Sequence, residues 1–348
     1  MSQLTLEEKL AIFNRVGEEI LDVTDLSQLL TTKPSPLVYD GFEPSGRIHI
    51  AQGLMKAINV NRMAQCGCKS LFYVADWFAL LNGKCAGNLE AINKLGNYFI
   101  EVWKAVGMDM NAVEFVWNSD FIKNDKNYFK RVIQIARNFN LARSQRCSTA
   151  LGRQESDNQP IAQILYPCMQ AADVFELSVD ICQLGMDQRK VNMLARDFAG
   201  KIKIQKPVIV SHHMLLGLIG GKMSKSVKGS AVFMDDSRED IAEKVMGADC
   251  ELQVENNPVL EYFKYIVYGA KEVTLGNFNR DIKINSKSYP TYETLETGFL
   301  TSEFNREDMK KELVDCIDIL VSSVREAFNN NKELQELQKF VMEMRLTR

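Results

Sequence analysis

The chain has 348 residues and a formal net charge of −3, with 46% hydrophobic and 25% charged residues. That length suits a large core and points to two domains, and the composition argues against disorder. The near-neutral balance gives no overall sign of nucleic-acid binding, though a basic patch on one face would suffice. No apolar run approaches the ~18 residues of a membrane span, so no membrane role is expected.

Thr5-Leu6-Glu7-Glu8 has capping-box spacing ahead of a helical pattern through Leu10, Ile12, Phe13, Val16 and Ile20. The acidic N-terminus lacks the basic and apolar regions of a leader or transit peptide, so a cytoplasmic location is expected. The eight cysteines are scattered apart from Cys66 and Cys68. They read as reduced structural thiols, and no spacing completes a zinc site, so no protein-bound metal is expected. Leu37-Val38-Tyr39 is a short apolar run, which predicts a buried strand. Gly41, Pro44, Ser45 and Gly46 break the chain into a tight loop. Apolar spacing resumes at Ile48, Leu54, Ile58 and Met63, so a helix is predicted to start near His49. A strand, a glycine loop and a helix N-terminus together aim unpaired N–H groups at an anion, and His49 adds a donor. Alone, the pattern more often marks an ordinary βα turn with a surface histidine, because it lacks phosphate-loop spacing.

Ser70–Ala75 predicts a second strand, Asn88–Val106 a helix and Val113–Trp117 a third strand. This rhythm implies a doubly wound parallel sheet. Asn127–Cys147 is helical and basic, with Lys130, Arg131, Arg137, Arg143 and Arg146. Such a face is more often solvated than RNA-facing. Ser148–Gln159 is polar and irregular. In the predicted helix Ile161–Phe175, Tyr166, Gln170 and Asp173 share one face. A strand over Ser178–Leu184 follows, and Gln188 opens the next helix, to about Phe198. Val208–Val210 is a last strand before Gly217–Ser226, GLIGGKMSKS, where Lys222 and Lys225 follow a glycine turn and can close over a polyphosphate. Beyond Asp235-Asp236-Ser237 the chain is richer in Glu, Lys, Asn and Asp. Helical spacing recurs there in Ile241–Met246, Val259–Val267, Asp308–Phe328 and Lys332–Met344.

The full Lys-Met-Ser-Lys-Ser string, taken with Pro44 to Gln52, resembles the two signature motifs of class I aminoacyl-tRNA synthetases. The first motif is partial: the family's His-Ile-Gly-His stands here as His49-Ile50-Ala51-Gln52, a departure that eukaryotic enzymes of the tyrosine branch share. Tyr39, Tyr166, Gln170, Asp173 and Gln188, with the string Asp187-Gln188-Arg189-Lys190, resemble the tyrosine pocket of eukaryotic and archaeal tyrosyl-tRNA synthetases. An ionised Asp173 only accepts hydrogen bonds, so it calls for a donor such as a phenol, and the Tyr39 hydroxyl beside it donates or accepts. In the stretch Ala75-Asp76-Trp77-Phe78, Phe78 stands where the family usually has a histidine, so no histidine role carries over.

The resemblance implies an α/β fold. A Rossmann-like doubly wound parallel sheet would form a catalytic domain over 1–235, with N-terminal helices and an insertion around 105–190. An α-helical anticodon-binding domain would follow over 236–348. It also implies ATP-dependent attachment of L-tyrosine to tRNA(Tyr) through tyrosyl-adenylate, releasing AMP and diphosphate, with Mg2+ arriving on ATP. ATP would lie against Gly41, Pro44, Ser45, Gly46, His49, Gln52, Met223, Ser224 and Lys225, with His49, Lys222 and Lys225 as the catalytic groups. Phe278 and Asp308 are candidate anticodon contacts, and a core aromatic and a helix-end acid are the plain alternatives. A homodimer is implied through the region of Trp117 to Phe139, with Phe121, Ile122, Tyr128 and Phe129 as its apolar core. Ending at Arg348, the chain is expected to lack the extra C-terminal domain of some animal relatives. Two other functions stay open: a tryptophan ligase, disfavoured by Asp173 and Tyr39, and a catalytically silent RNA-binding or regulatory protein, disfavoured by Lys222, Lys225 and the polar pocket.

Overall fold

The computed structural model describes residues 4–147, 160–221, 223 and 227–344. Six strands make its main sheet: β1 (Glu19–Leu21), β2 (Leu37–Phe42), β3 (Lys69–Val74), β4 (Val113–Trp117), β5 (Ile181–Gly185) and β6 (Val208–His212). Their spatial order is β1-β6-β5-β2-β3-β4. Neighbours run parallel except β1, which lies antiparallel along the edge of β6. From β2 the chain winds one way through β3 and β4, and then the other way through β5 and β6. The reversal falls between β2 and β5, and a doubly wound sheet opens a crevice beyond its strand ends at such a point. Being central, β2 is buried on both faces: Val38 and Phe42 turn to one side and Tyr39 to the other.

The helices of this part are α1 (Leu6–Val16), α2 (Val23–Thr32), α3 (Lys56–Gln65), α4 (Asp76–Leu81), α5 (Leu89–Ala105), α6 (Asn118–Asn124), α7 (Tyr128–Asn138), α8 (Leu141–Arg146), α9 (Ile161–Glu176) and α10 (Arg189–Ile202). The capping box forms at the head of α1: the Glu8 amide donates to Thr5 Oγ1 at 3.2 Å, and the Thr5 amide donates back to the Glu8 carboxylate at 2.8 Å. The helix ends at Val16 and does not run on to Ile20 as its spacing predicts. Gly17 is extended there, and a Cβ on it would stand 2.8 Å from the Val210 side chain. The chain therefore turns into β1, where Ile20 pairs with Val210. The helices α2 and α4 have no counterpart in the sequence reading, and α4, with six residues, is too short to show a helical period.

Beyond the sheet come α11 (Arg238–Met246), α12 (Pro258–Glu261), α13 (Tyr268–Glu272), α14 (Tyr292–Leu300), α15 (Arg306–Asn329) and α16 (Lys332–Glu343). A π-type turn over Tyr262–Val267 joins α12 to α13, and a small hairpin pairs β7 (Lys283–Ile284) with β8 (Lys287–Ser288). One apolar cluster runs from Phe42, Ile48 and Leu54 through Trp103 to Val245, Phe263, Leu313 and Phe328. The helical region thus shares its core with one face of the sheet. Among the described residues, no helix is long and apolar enough to cross a membrane.

Candidate active site

β2 ends at Phe42, and the chain passes through Pro44, Ser45 and Gly46 to reach a segment far ahead in sequence. The Ile50 amide donates to the Val232 carbonyl and the Met234 amide to the Ile48 carbonyl, each at 3.0 Å, with His49 and Phe233 paired between them. Arg47 fastens the same junction. Its guanidinium reaches Asp235 Oδ1 at 2.5 Å and Asp236 Oδ1 at 2.9 Å, and lies over the Phe233 ring. The first motif is therefore held against the segment that follows the glycine loop. The chain then makes a π-type turn over Ala51–Met55 before α3, a deformation that recurs at functional sites. Trp103 on α5 holds this turn by donating from Nε1 to the Gln52 carbonyl at 2.9 Å.

Gly53 sits in the turn because nothing larger fits: a Cβ would stand 2.3 Å from Met234 Sδ, and Met234 is fully buried. Gly53→Ala is expected to destabilise the fold by ~1–3 kcal/mol, the usual cost of overpacking. An unfolding midpoint in urea equal to the parent's would show that Met234 yields freely.

The glycine loop is anchored at its base. The Gly217 amide donates to the Gly221 carbonyl and the Leu218 amide to the Ser230 carbonyl, both at 2.9 Å, and the Asp249 amide donates to the Leu218 carbonyl at 2.7 Å. Met223 is buried and faces the cavity described next. Lys222, Ser224 and Lys225, like the irregular stretch 148–159, lie outside the described residues.

A cavity of about 410 Å3 opens beyond the carboxyl ends of β2, β3, β5 and β6, at the point where the winding reverses. Tyr39, Gly41, Ser45, His49, Gln52, Tyr166, Gln170, Gln188 and Met223 all line it. Pro44, Gly46 and Asp173 do not. Pro44 and Gly46 are buried in the loop that shapes the wall. Asp173 lies beneath the lining, with no solvent exposure. Its Oδ1 accepts from the Tyr128 hydroxyl at 2.8 Å, while Oδ2 has no hydrogen-bond partner. Burial pushes this carboxyl well above the usual range, against the hydroxyls of Tyr128, Tyr73 and Tyr39, which all face it. Asn118 Nδ2 donates to the Tyr73 hydroxyl at 2.6 Å and fixes that ring. An acid held so can accept from a phenol or, when protonated, donate to one. A bare phenyl ring offers it neither.

In the same cavity wall, Tyr166 donates to Glu43 Oε1 at 2.6 Å and Asn82 Nδ2 to Glu43 Oε2 at 3.1 Å. Desolvation raises the Glu43 carboxyl above its ordinary range, against the pull of Tyr166, Lys84 and Asn82. Gln170 Nε2 donates to Gln188 Oε1 at 3.3 Å, which leaves Gln170 Oε1 buried without a partner. Carboxylate, amides and phenol together suit the ammonium and carboxylate ends of an amino acid. Phe78 fills its place in the wall with a ring edge against Tyr166, centroids 4.6 Å apart. Sequence reasoning missed Glu43 and Tyr128 as site residues. Glu43 had a visible signal, an acid inside the motif loop, but Tyr128 had none.

The expectation for Phe278 needs correction. Phe278 is only 4% exposed and belongs to the shared core, so it offers no face on which a base could stack. Asp308 is half-buried in the first turn of α15. Its amide donates to Asn305 Oδ1, and its Oδ2 accepts from Asn305 Nδ2, both at 2.8 Å. Of the residues expected at a dimer face, Tyr128 is buried inside the chain, because α7 packs that side on α9, and Ile122, on α6 beside α4 and β4, is buried as well, while Phe129 is 55% exposed.

A family profile described as class I tRNA synthetases (W and Y) matches residues 31–322. The chain is 47% identical over 353 residues to tyrosine–tRNA ligase 2, cytoplasmic, of Arabidopsis thaliana, covering 98% of this chain but 46% of that protein. It is 45% identical to tyrosine–tRNA ligase 1, cytoplasmic, of the same plant, covering 99% of this chain and 90% of that one. Among solved structures, Leishmania major tyrosyl-tRNA synthetase in complex with tyrosinol superposes with a TM-score of 0.93 at 43% identity. That match covers 99% of this chain and 53% of the Leishmania chain. The chain thus spans about half the length of the first of these relatives.

Proposed function

Because the chain belongs to the class I tRNA synthetases, on the tyrosyl branch of eukaryotic and archaeal type, we propose that it attaches L-tyrosine to tRNA(Tyr) at the expense of ATP. The observation that carries this reading is one continuous cavity, which runs from Tyr39, above the buried Asp173, to His49, Gln52 and Met223 of the two motif stretches. A carboxylate oxygen of tyrosine attacks the α-phosphorus of ATP, which arrives as its magnesium complex. The new P–O bond forms as the bond to diphosphate breaks, and the product is tyrosyl-adenylate. A ribose hydroxyl at the 3′ end of the tRNA then attacks the activated carbonyl, and AMP leaves. No covalent enzyme intermediate is needed, so catalysis consists of positioning and charge stabilisation.

In this reading Asp173 and Tyr39 receive the substrate phenol, Glu43, Tyr166, Gln170 and Gln188 hold its polar ends, and His49 with Gln52 faces the nucleotide. Lys222 and Lys225, from the loop anchored by Gly217 and Ser230, neutralise charge on the phosphates. The region beyond about Asp235 acts as the anticodon-binding part, with Asp308 as its candidate base reader. The enzyme works in the cytoplasm as a homodimer, whose interface would use the exposed Phe129, Ile133 and Leu141.

Tyrosine-dependent exchange of diphosphate into ATP, measured across the amino acids, tests the activity and its specificity. Exchange driven equally by tryptophan, or by no amino acid, would refute the reading. Lys225→Ala is expected to slow adenylate formation by roughly tenfold to hundredfold, the worth of one charge-assisted hydrogen bond, while tyrosine binding changes little. An effect on tyrosine affinity alone would remove Lys225 from the phosphates.

A further inference from the structure

The segment 212–215 leaves the end of β6 as a wall of the active-site cavity and leads directly into the glycine loop at Gly217. The sheet holds its first residue, since His212 pairs with Gly185 and lies 2.6 Å from Gln183 Nε2, but the residues after it are also held from the helical region. Glu261, at the end of α12, accepts the Leu216 amide on Oε2 at 3.0 Å, and the same oxygen stands 3.1 Å from His213 Nε2. Four residues further along the same helical run, Tyr265 stacks on the His213 ring with centroids 4.6 Å apart and planes 12° from parallel. The other face of this wall borders a second cavity, of about 610 Å3, which shares Met55, His212 and His213 with the first. Of the cations there, Arg15 and Arg62 both pair with Glu272 and Lys271 with Asp281, while Lys264 lies over the rings of Tyr265 and Tyr292. On the side of the second cavity, the His213 side chain is met by Glu261, Tyr265 and Glu18.

We propose that Glu261 is a positioning residue for the adenylation reaction, holding the nucleotide-facing wall 213–216 from the helical region of the chain. The inference rests on the synthetase reading above for the identity of the nucleotide. One carboxylate grips two points of the wall, the main chain at Leu216 and the side chain at His213, so the wall cannot drift toward the second cavity while ATP is bound. His213 is drawn into the same grip. Burial lowers its affinity for a proton, but Glu261 and, across from it at 3.2 Å, Glu18 outweigh that and raise it, which strengthens the ionic contact. One hydrogen bond to the main chain and one ionic contact, made by the same partly buried carboxylate, are enough to matter to a neighbouring ligand without touching it.

The test compares Glu261→Ala and Glu261→Gln with the parent, in tyrosine-dependent diphosphate exchange and in calorimetric titration with ATP alone. E261A is expected to raise the KM for ATP about tenfold with the KM for tyrosine unchanged, the loss of one charge-assisted contact. E261Q keeps an acceptor for the Leu216 amide and is expected to recover most of it. Should E261A fail to fold, Tyr265→Leu removes the stacked ring without reaching the active-site cavity and is expected to raise the same KM a few-fold. An ATP KM unchanged in the foldable variants, or equal rises for ATP and tyrosine, would overturn the proposal. A parent chain without any exchange would overturn the synthetase reading instead, and the ATP titrations would still judge the role of Glu261.

Discussion

Replacing Asp173 by alanine is expected to lower kcat/KM for tyrosine roughly a hundred- to a few-thousand-fold, and with it most of the preference over phenylalanine. The substrate phenol would lose a bond to an ionisable partner, worth ~1.5–3 kcal/mol, and the buried Tyr39 hydroxyl would be left unmatched at a further ~1–3 kcal/mol. The sum is on the order of 3–5 kcal/mol, and each ~1.4 kcal/mol is a decade in kcat/KM. Folding should be spared, because the Tyr128 hydroxyl keeps a second acceptor, the Met169 carbonyl at 3.2 Å. Exchange kinetics with tyrosine and with phenylalanine decide the matter. If the ratio of their kcat/KM values survives in Asp173→Ala, the phenol is read elsewhere.

Arg47→Ala is expected to destabilise the protein by ~3–5 kcal/mol, the cost of stripping one partner from a buried ion pair. The two carboxylates it serves, Asp235 and Asp236, are 1% and 2% exposed, whereas the Arg47 side chain is 23% exposed. They would not suffer equally. Asp236 keeps Lys244 at 2.5 Å and the Phe233 amide at 2.8 Å. Asp235 keeps little, since its Oδ2 already lacks a partner. Adding Asp235→Asn to Arg47→Ala should therefore recover a large share of the loss by removing the stranded charge. Urea unfolding of the single and double variants checks this. A single variant within ~0.5 kcal/mol of the parent would mean that solvent screens the pair.

The five parallel strands, most of the longer helices, the two motif stretches and the inward face of α9 were fixed by local rules. A buried strand bounded by Gly and Pro, or residues four apart on a helix, can be recognised without knowing what lies opposite. These rules place Tyr39, Tyr166, Gln170 and Gln188 at the ends of strands or the faces of helices that border the crevice. Local rules failed wherever a segment's state depended on a distant neighbour. Ile20 joined β1 because Val210 stood close by, and Phe278 went into the core because the helical region and the sheet share one apolar cluster. The partners that complete the site were equally out of reach: Tyr128 for Asp173, the Asp235–Asp236 pair for Arg47, and Glu261 for the wall 213–216. Each depends on which strand ends and helix ends become adjacent, and long-range burial of apolar surface decides that. Periodicity along the chain encodes which face of an element is buried. It does not encode what meets that face, so the hydrogen bonds and ion pairs made there were decided only by the tertiary structure.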